Sequence, residues 1–229
     1  MKDKFAIIVA VHHPISLRAF LEYFYSKEAG EDYDLFFVHN KFGCEEPKTD
    51  FDKAKVTYRT EEQIKEVCDM LDEEKEKHPD TVVYEREDRG RDFGAYRYGY
   101  LKVKGQYKYY CFLNTRTIIM KDQWLSYFLN EFRSEKDIGA TGPQLCLGIK
   151  YPLCYRGLYW AQTDEAIKTM NWWEPKSRTD AHTQEMELIY PHVVSAGYSC
   201  SQFGSGNDIL TSDLTEILHP FPFTAEPSG

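Results

Sequence analysis

Four short apolar runs in the first half of the chain each end in side chains able to bind or move charge. FAIIVAV (5–11) runs into His12 and His13, and DLFFV (34–38) runs into His39 and Asn40. TVVY (81–84) leads to Asp88, Arg89, Gly90, Arg91 and Asp92, and YYCFL (109–113) ends in Asn114, Thr115 and Arg116. Imidazole and carboxylate groups move protons, and arginine offers a planar fork of donors shaped for bidentate contact with phosphate. Arg86, Arg89, Arg91, Arg97 and Arg116 all fall in or beside these stretches. Any one of them is ordinary loop composition, but their concentration predicts a locally positive cleft that attracts a pyrophosphate. Neither GxGxxG nor GxxxxGK[ST] is present, which disfavours dinucleotide and ATP-hydrolysing readings and leaves a mononucleotide or nucleotide-sugar site.

The elements that position these residues follow from pattern. FAIIVAV, DLFFV and YYCFL are continuous and rich in β-branched and aromatic residues, as strands buried on both faces of a parallel sheet are. A helix from about Ser16 places Leu17, Phe20, Leu21 and Phe24 on one face, with Gly30 as its stop. Thr60 and Gln63 form a capping box ahead of Ile64, Val67, Cys68 and Leu71. Asp122 and Asp164 are expected helix caps, and a last helix from about Thr183 is expected to break at Pro191. In an open parallel sheet ligands bind beyond the carboxyl ends of the strands, where the polar residues above accumulate. The prediction is an α/β domain with a mixed, mostly parallel central sheet flanked by helices.

The order of these segments resembles a GT-A type glycosyltransferase of the polysaccharide-building branch. FAIIVAVHHP stands at the first strand and nucleotide-contacting loop, and EDRGRDFGAYRYGYL is similar to the turn and helix beside the nucleotide. YKYYCFLNTRTII stands at the strand that ends in the metal-binding DxD motif. KDIGATGP with LYWAQTDEAI resembles the acceptor-side strand and helix, and TQEMELIYPHVVSAGY is similar to the late helix that carries the catalytic base of inverting members. The resemblance covers roughly residues 5–200.

It implies transfer of a sugar from a nucleoside diphosphate donor of the UDP-hexose type to a glycan acceptor. Glu185 is the implied base; His12, His39, Arg89, Gly90, Asp92, Asn114 and Arg116 are the implied nucleotide-sugar contacts. Trp160 and Trp172 are implied to stack on acceptor sugars. Helix capping explains Asp92 equally well, and core packing explains the tryptophans.

One departure matters: Asn114-Thr115-Arg116 replaces DxD, and a hard divalent cation prefers carboxylate oxygens. Two readings stay open. Arg116 replaces the metal, or Mn²⁺ or Mg²⁺ is held by Asn114, diphosphate oxygens and a late residue such as Asp208 or His219. A non-catalytic nucleotide-sugar or glycan-binding module of a larger enzyme is the alternative function. A nucleotidyltransferase, sharing the fold logic, needs an acidic metal pair that the sequence lacks.

The 229 residues suffice for one domain over 1–223, with a nucleotide-binding half to about 120, an acceptor half beyond it, and a tail or linker start at 224–229. With 28 Lys and Arg against 37 Asp and Glu, the net charge of −9 disfavours nucleic acid and anionic membranes as partners. No apolar run approaches the ~20 residues of a membrane span, and MKDKFAIIVAVHHP lacks a signal-peptide pattern, so the chain reads as cytoplasmic. Six cysteines show no CxxC and no metal-type spacing; they are expected to be reduced and mostly buried, without a structural zinc site.

Overall fold

The run at 5–11 lies at the centre of a seven-stranded sheet in a computed structural model of the chain. The structure describes residues 1–42, 60–87, 91–134, 137–143, 145–146, 154–155, 159–175, 180, 183–184, 188–203 and 210–211. The sheet contains β1 (Lys2–Val11), β2 (Tyr33–Phe42), β3 (Val82–Glu87), β4 (Tyr107–Asn114), β6 (Ile138–Gly142), β9 (Tyr159–Thr163) and β10 (Ser199–Gln202). Its spatial order is β10-β6-β9-β4-β1-β2-β3. Only β9 runs against its neighbours, so the sheet is mixed and mostly parallel, as expected. Two short pairs, β5 (Ile118–Ile119) with β11 (Leu210–Thr211) and β7 (Leu145–Cys146) with β8 (Cys154–Tyr155), lie outside it.

Alternation along β1 divides the core in two. Phe5, Ile7, Val9 and Val11 face a cluster with α1 (Pro14–Tyr25), α2 (Glu61–Lys77) and α4 (Trp124–Ser134), through Phe20, Val67 and Phe128 among others. Ala6, Ile8 and Ala10 face the opposite cluster, with α3 (Arg91–Val103) and α6 (Ile189–Ser195), through Tyr96, Tyr100 and Val193. Both faces are dry, which explains why the strand sequence is apolar without a break. Gly99 lets α3 sit close on β1: a Cβ there would stand 2.6 Å from Ile8 Cγ2 and 3.0 Å from Val38 Cγ2.

Local signals placed most elements, with small corrections. Thr60 and Gln63 form the expected reciprocal capping box on α2. Asp122 does not cap α4; its carboxylate accepts from the Glu28 amide. The cap of α5 (Asp164–Lys168) is Thr163, whose hydroxyl accepts from the Ala166 amide, while Asp164 is wholly buried and bonds Lys168 and Tyr110. Pro191 does not break the last helix. It stands in the first turn of α6, where its missing N–H leaves no hydrogen bond unmade. The strand expected near Val56 lies outside the described residues. Among the described residues, no helix is long and apolar enough to cross a membrane.

Because β-branched side chains of two strands occupy the space above Gly99, Gly99→Ala should cost about 1–3 kcal/mol. The expected readout is a lower urea midpoint with an unchanged denaturant slope.

Candidate functional site

At the carboxyl ends of β1, β2 and β4 the polar residues meet around one carboxylate. Asp92, in the first turn of α3, has a side chain only 17% exposed. His12 Nε2 lies 2.5 Å from Asp92 Oδ1, Asn114 Nδ2 donates to Asp92 Oδ2 at 3.0 Å, and Arg116 Nη2 lies 3.6 Å from the same oxygen. Asn40, at the end of β2, joins the set: its Nδ2 is 3.2 Å from His12 Nδ1 and donates to the Arg91 carbonyl at 3.4 Å. Its Oδ1 accepts from Arg86 at 2.9 Å. Arg91 itself holds φ at 50°, a left-handed conformation that costs a non-glycine residue roughly 1–2 kcal/mol.

The turn at 114–116 is pinned from below. Thr115 donates its amide to Ala10 O at 3.1 Å and shares a hydroxyl hydrogen bond of 2.9 Å with Ser16. Asn114 Oδ1 accepts from the Arg116 amide at 2.9 Å. The Asn114 side chain is therefore committed at both ends, whereas that of Arg116 is 53% exposed.

Desolvation alone would raise the Asp92 pKa. The charge and hydrogen bond of His12, the charge of Arg116 and the Asn114 hydrogen bond outweigh it and hold the pKa down, from 3.8 to about 2.

Alternation sends neighbouring residues to opposite faces. His12 and Asn40 reach this cluster. His13 turns back to cap α1 and contacts Gln63, and His39 is wholly buried with Nδ1 3.8 Å from Cys68 Sγ on α2. His39 thus does not join the other expected nucleotide contacts, because β2 presents Asn40 at that position instead. Trp160 is also corrected: it is wholly buried, stacked on Phe93 and Phe112, and has no ring face left for a sugar. Trp172 packs on Tyr100 and Phe112 and donates its Nε1–H to Gln184 at 2.9 Å; Trp173 is the more exposed of the pair. Arg89, Gly90, Glu185 and Asp208 lie outside the described residues.

The arginines are not all available to an anion. Arg86 and Arg97 both donate to Glu174, at 2.8 and 2.7 Å, and Arg97 also holds the Trp172 carbonyl. Nothing in the local pattern of Glu174 or Gln184 marks them for this role, and Ser16 reads from sequence only as a helix start.

The described donor set does not fit a hard divalent cation. Asp92 is its one carboxylate, both of its oxygens are engaged, and the Asn114 carbonyl oxygen faces a backbone amide. A fixed guanidinium stands where a second carboxylate would be needed. A cavity of about 560 Å³ lined by Lys4, Glu28, Tyr33, Tyr109 and Arg133 opens near the amino end of β1, away from this rim.

No protein-family model matches the chain, and no curated protein matches its sequence. Solved structures do share its fold. A mannosyltransferase from Pyrobaculum calidifontis, in complex with GDP-Man and Mn²⁺, superposes with a TM-score of 0.58 at 14% identity. That match covers 89% of this chain and 55% of the mannosyltransferase, so the chain spans about half of that protein's length. A putative glucose-1-phosphate thymidylyltransferase from Bacillus anthracis, in complex with a sucrose, superposes at 0.52 with 11% identity, covering 89% and 87% of the two chains. The likeness is one of fold, and it agrees with the GT-A-like architecture expected from the order of motifs.

A carboxylate with a depressed folded-state pKa stabilises the fold above its unfolded pKa, and that stability is lost as pH falls through the folded value. Asp92 should therefore contribute about 2 kcal/mol above pH ~4 that disappears between pH ~4 and ~2. Asp34, held to about 2 by Lys2, Lys4 and Tyr107 against its own desolvation, titrates in the same window. The difference between wild type and Asp92→Asn in urea unfolding from pH 2 to 7 isolates the Asp92 share.

Proposed function

We propose that the chain is a glycosyltransferase that moves a sugar from a nucleoside diphosphate sugar, of the UDP-hexose type, to a glycan acceptor. The observation that carries this reading is the Asp92 cluster: one rim of the sheet gathers His12, Asn40 and Asn114 around Asp92 beside the exposed guanidinium of Arg116. A mannosyltransferase and a thymidylyltransferase of the same fold support it.

The reaction breaks the bond between the sugar's anomeric carbon and the diphosphate oxygen, and the leaving diphosphate takes the bonding electrons. Charge thus develops on the diphosphate as the sugar acquires oxocarbenium character. In this reading Arg116 faces the diphosphate and stabilises that charge in place of a divalent cation. Asp92 does not touch the donor. It holds the Arg116 side chain and, through His12 and Asn40, the ends of β1 and β2 against which the nucleotide lies. Arg89 and Gly90, which precede α3 in the sequence, remain proposed nucleotide contacts from the sequence resemblance, as does Trp172 for the acceptor. Glu185 is proposed, on the same ground, to take the proton of the attacking acceptor hydroxyl.

Purified protein incubated with UDP- and GDP-linked sugars should release nucleoside diphosphate, with turnover unaffected by EDTA. Arg116→Ala should lower kcat by about 10²–10³, as removal of a preorganised donor does. Glu185→Gln should lower it by about 10²–10⁴. Calorimetric binding of nucleotide without turnover on any donor would instead select the non-catalytic binding module, and a requirement for Mn²⁺ would overturn the role given to Arg116.

A further inference from the structure

On the opposite face of β2 from Asn40, donor atoms of a different kind converge. His39 on β2 and Glu85 on β3 are directly paired in register, so their side chains share one face of the sheet. The α2 helix crosses that face and brings Cys68 over them. Cys68 Sγ lies 3.8 Å from His39 Nδ1 and 3.9 Å from Glu85 Oε1, and the three donor atoms all lie within 4.8 Å of one another.

We propose that His39, Cys68 and Glu85 form a binding site for a zinc-type divalent cation that ties α2 to β2 and β3, with the fourth position left to water.

Distance, chemistry and rigidity argue for it together. A tetrahedral zinc ion with bonds of about 2.0–2.3 Å to nitrogen, oxygen and sulfur sets its ligand atoms roughly 3.5 Å apart. The sulfur contacts exceed that edge by only a few tenths of an ångström, within the reach of a small rotation of Cys68 or Glu85. Imidazole, thiolate and carboxylate together suit a borderline-soft ion such as zinc and not magnesium or calcium, which take oxygen ligands. The donors sit on prearranged supports. His39 is wholly buried, and α2 is held by its capping box, by Val67 and Leu71 in the core, and by an Arg18–Glu66 pair at 2.7 Å.

Lys41 opposes occupancy. It lies two residues beyond His39 on the same face and holds Glu85 at 3.0 and 3.2 Å. Coordination releases the thiol proton to solvent and turns the Lys41 ammonium outward, where its side chain is already 30% exposed. The ligands stand 29 and 17 residues from Cys68 in sequence, so no local spacing reports the site.

The test is a titration of the reduced 229-residue chain with Co²⁺ as a spectroscopic probe, followed by displacement with Zn²⁺. One equivalent of Co²⁺ should bind with a thiolate-to-cobalt charge-transfer band, and Zn²⁺ should remove it. Cys68→Ser should abolish the band although the other five cysteines remain, and Glu85→Gln should weaken binding at least about tenfold. Both positions are partly exposed, so these variants keep the fold, checked by circular dichroism, where a change at the buried His39 endangers it. Absence of the band in wild type, its survival in Cys68→Ser, or equal affinity in Glu85→Gln overturns the site.

Discussion

A carboxylate taken out of water has to be surrounded by donors and positive charge, and Asp92 meets that requirement from two separate parts of the chain, with a third behind them. His12 comes from the end of β1, Asn114 and Arg116 from the turn after β4, and Asn40 joins through His12 from the end of β2. The cluster is therefore a joint between the sheet and the first turn of α3, and it exists only when all of these ends are in place. Two supports keep it there: the Ser16–Thr115 hydrogen bond under the turn and the close seat of Gly99 on Ile8. The same joint that stabilises the fold orients the one half-exposed arginine of the cluster, so stability and the proposed chemistry draw on a single set of contacts.

Charge is distributed more economically at this rim than a count of arginines implies. Glu174 engages both Arg86 and Arg97, and Arg86 in turn orients the Asn40 amide. These two guanidinium groups position neighbours. Arg116, paired at the longer distance of 3.6 Å, keeps a face toward solvent. The two faces of the sheet end also differ in donor type. Toward α3 the groups are imidazole, amide, guanidinium and an engaged carboxylate, the set proposed to face the donor diphosphate. Toward α2 they are imidazole, thiol and carboxylate, the set proposed to hold a borderline-soft cation.

Much of the architecture was legible in local pattern. Continuous apolar runs marked β1, β2 and β4 as central strands, the Thr60–Gln63 box marked the start of α2, and the order of motifs marked the GT-A-like sheet. The errors have local causes. Pro191 reads from sequence as a break because a proline inside a helix costs a hydrogen bond, but in the first turn that bond does not exist. Residue type marks Asp164 and Asp122 as caps, yet burial claims one and the Glu28 amide the other. Trp160 reads from sequence as a sugar contact because aromatic rings suit both sugars and cores, and composition does not distinguish the two.

Residue order alone settled which side chains reach the carboxyl ends of the strands, since strand direction and length follow from the apolar runs themselves. Which of each adjacent pair enters the site was decided by packing. His12 rather than His13, and Asn40 rather than His39, face α3, because a strand turns successive side chains to opposite faces and only the helices laid on those faces give either side a meaning. Likewise, the meeting of His39, Cys68 and Glu85 depends on strand register and on where α2 crosses the sheet. Those are long-range relations, set by how the two cores fill, and no short stretch of the chain encodes them.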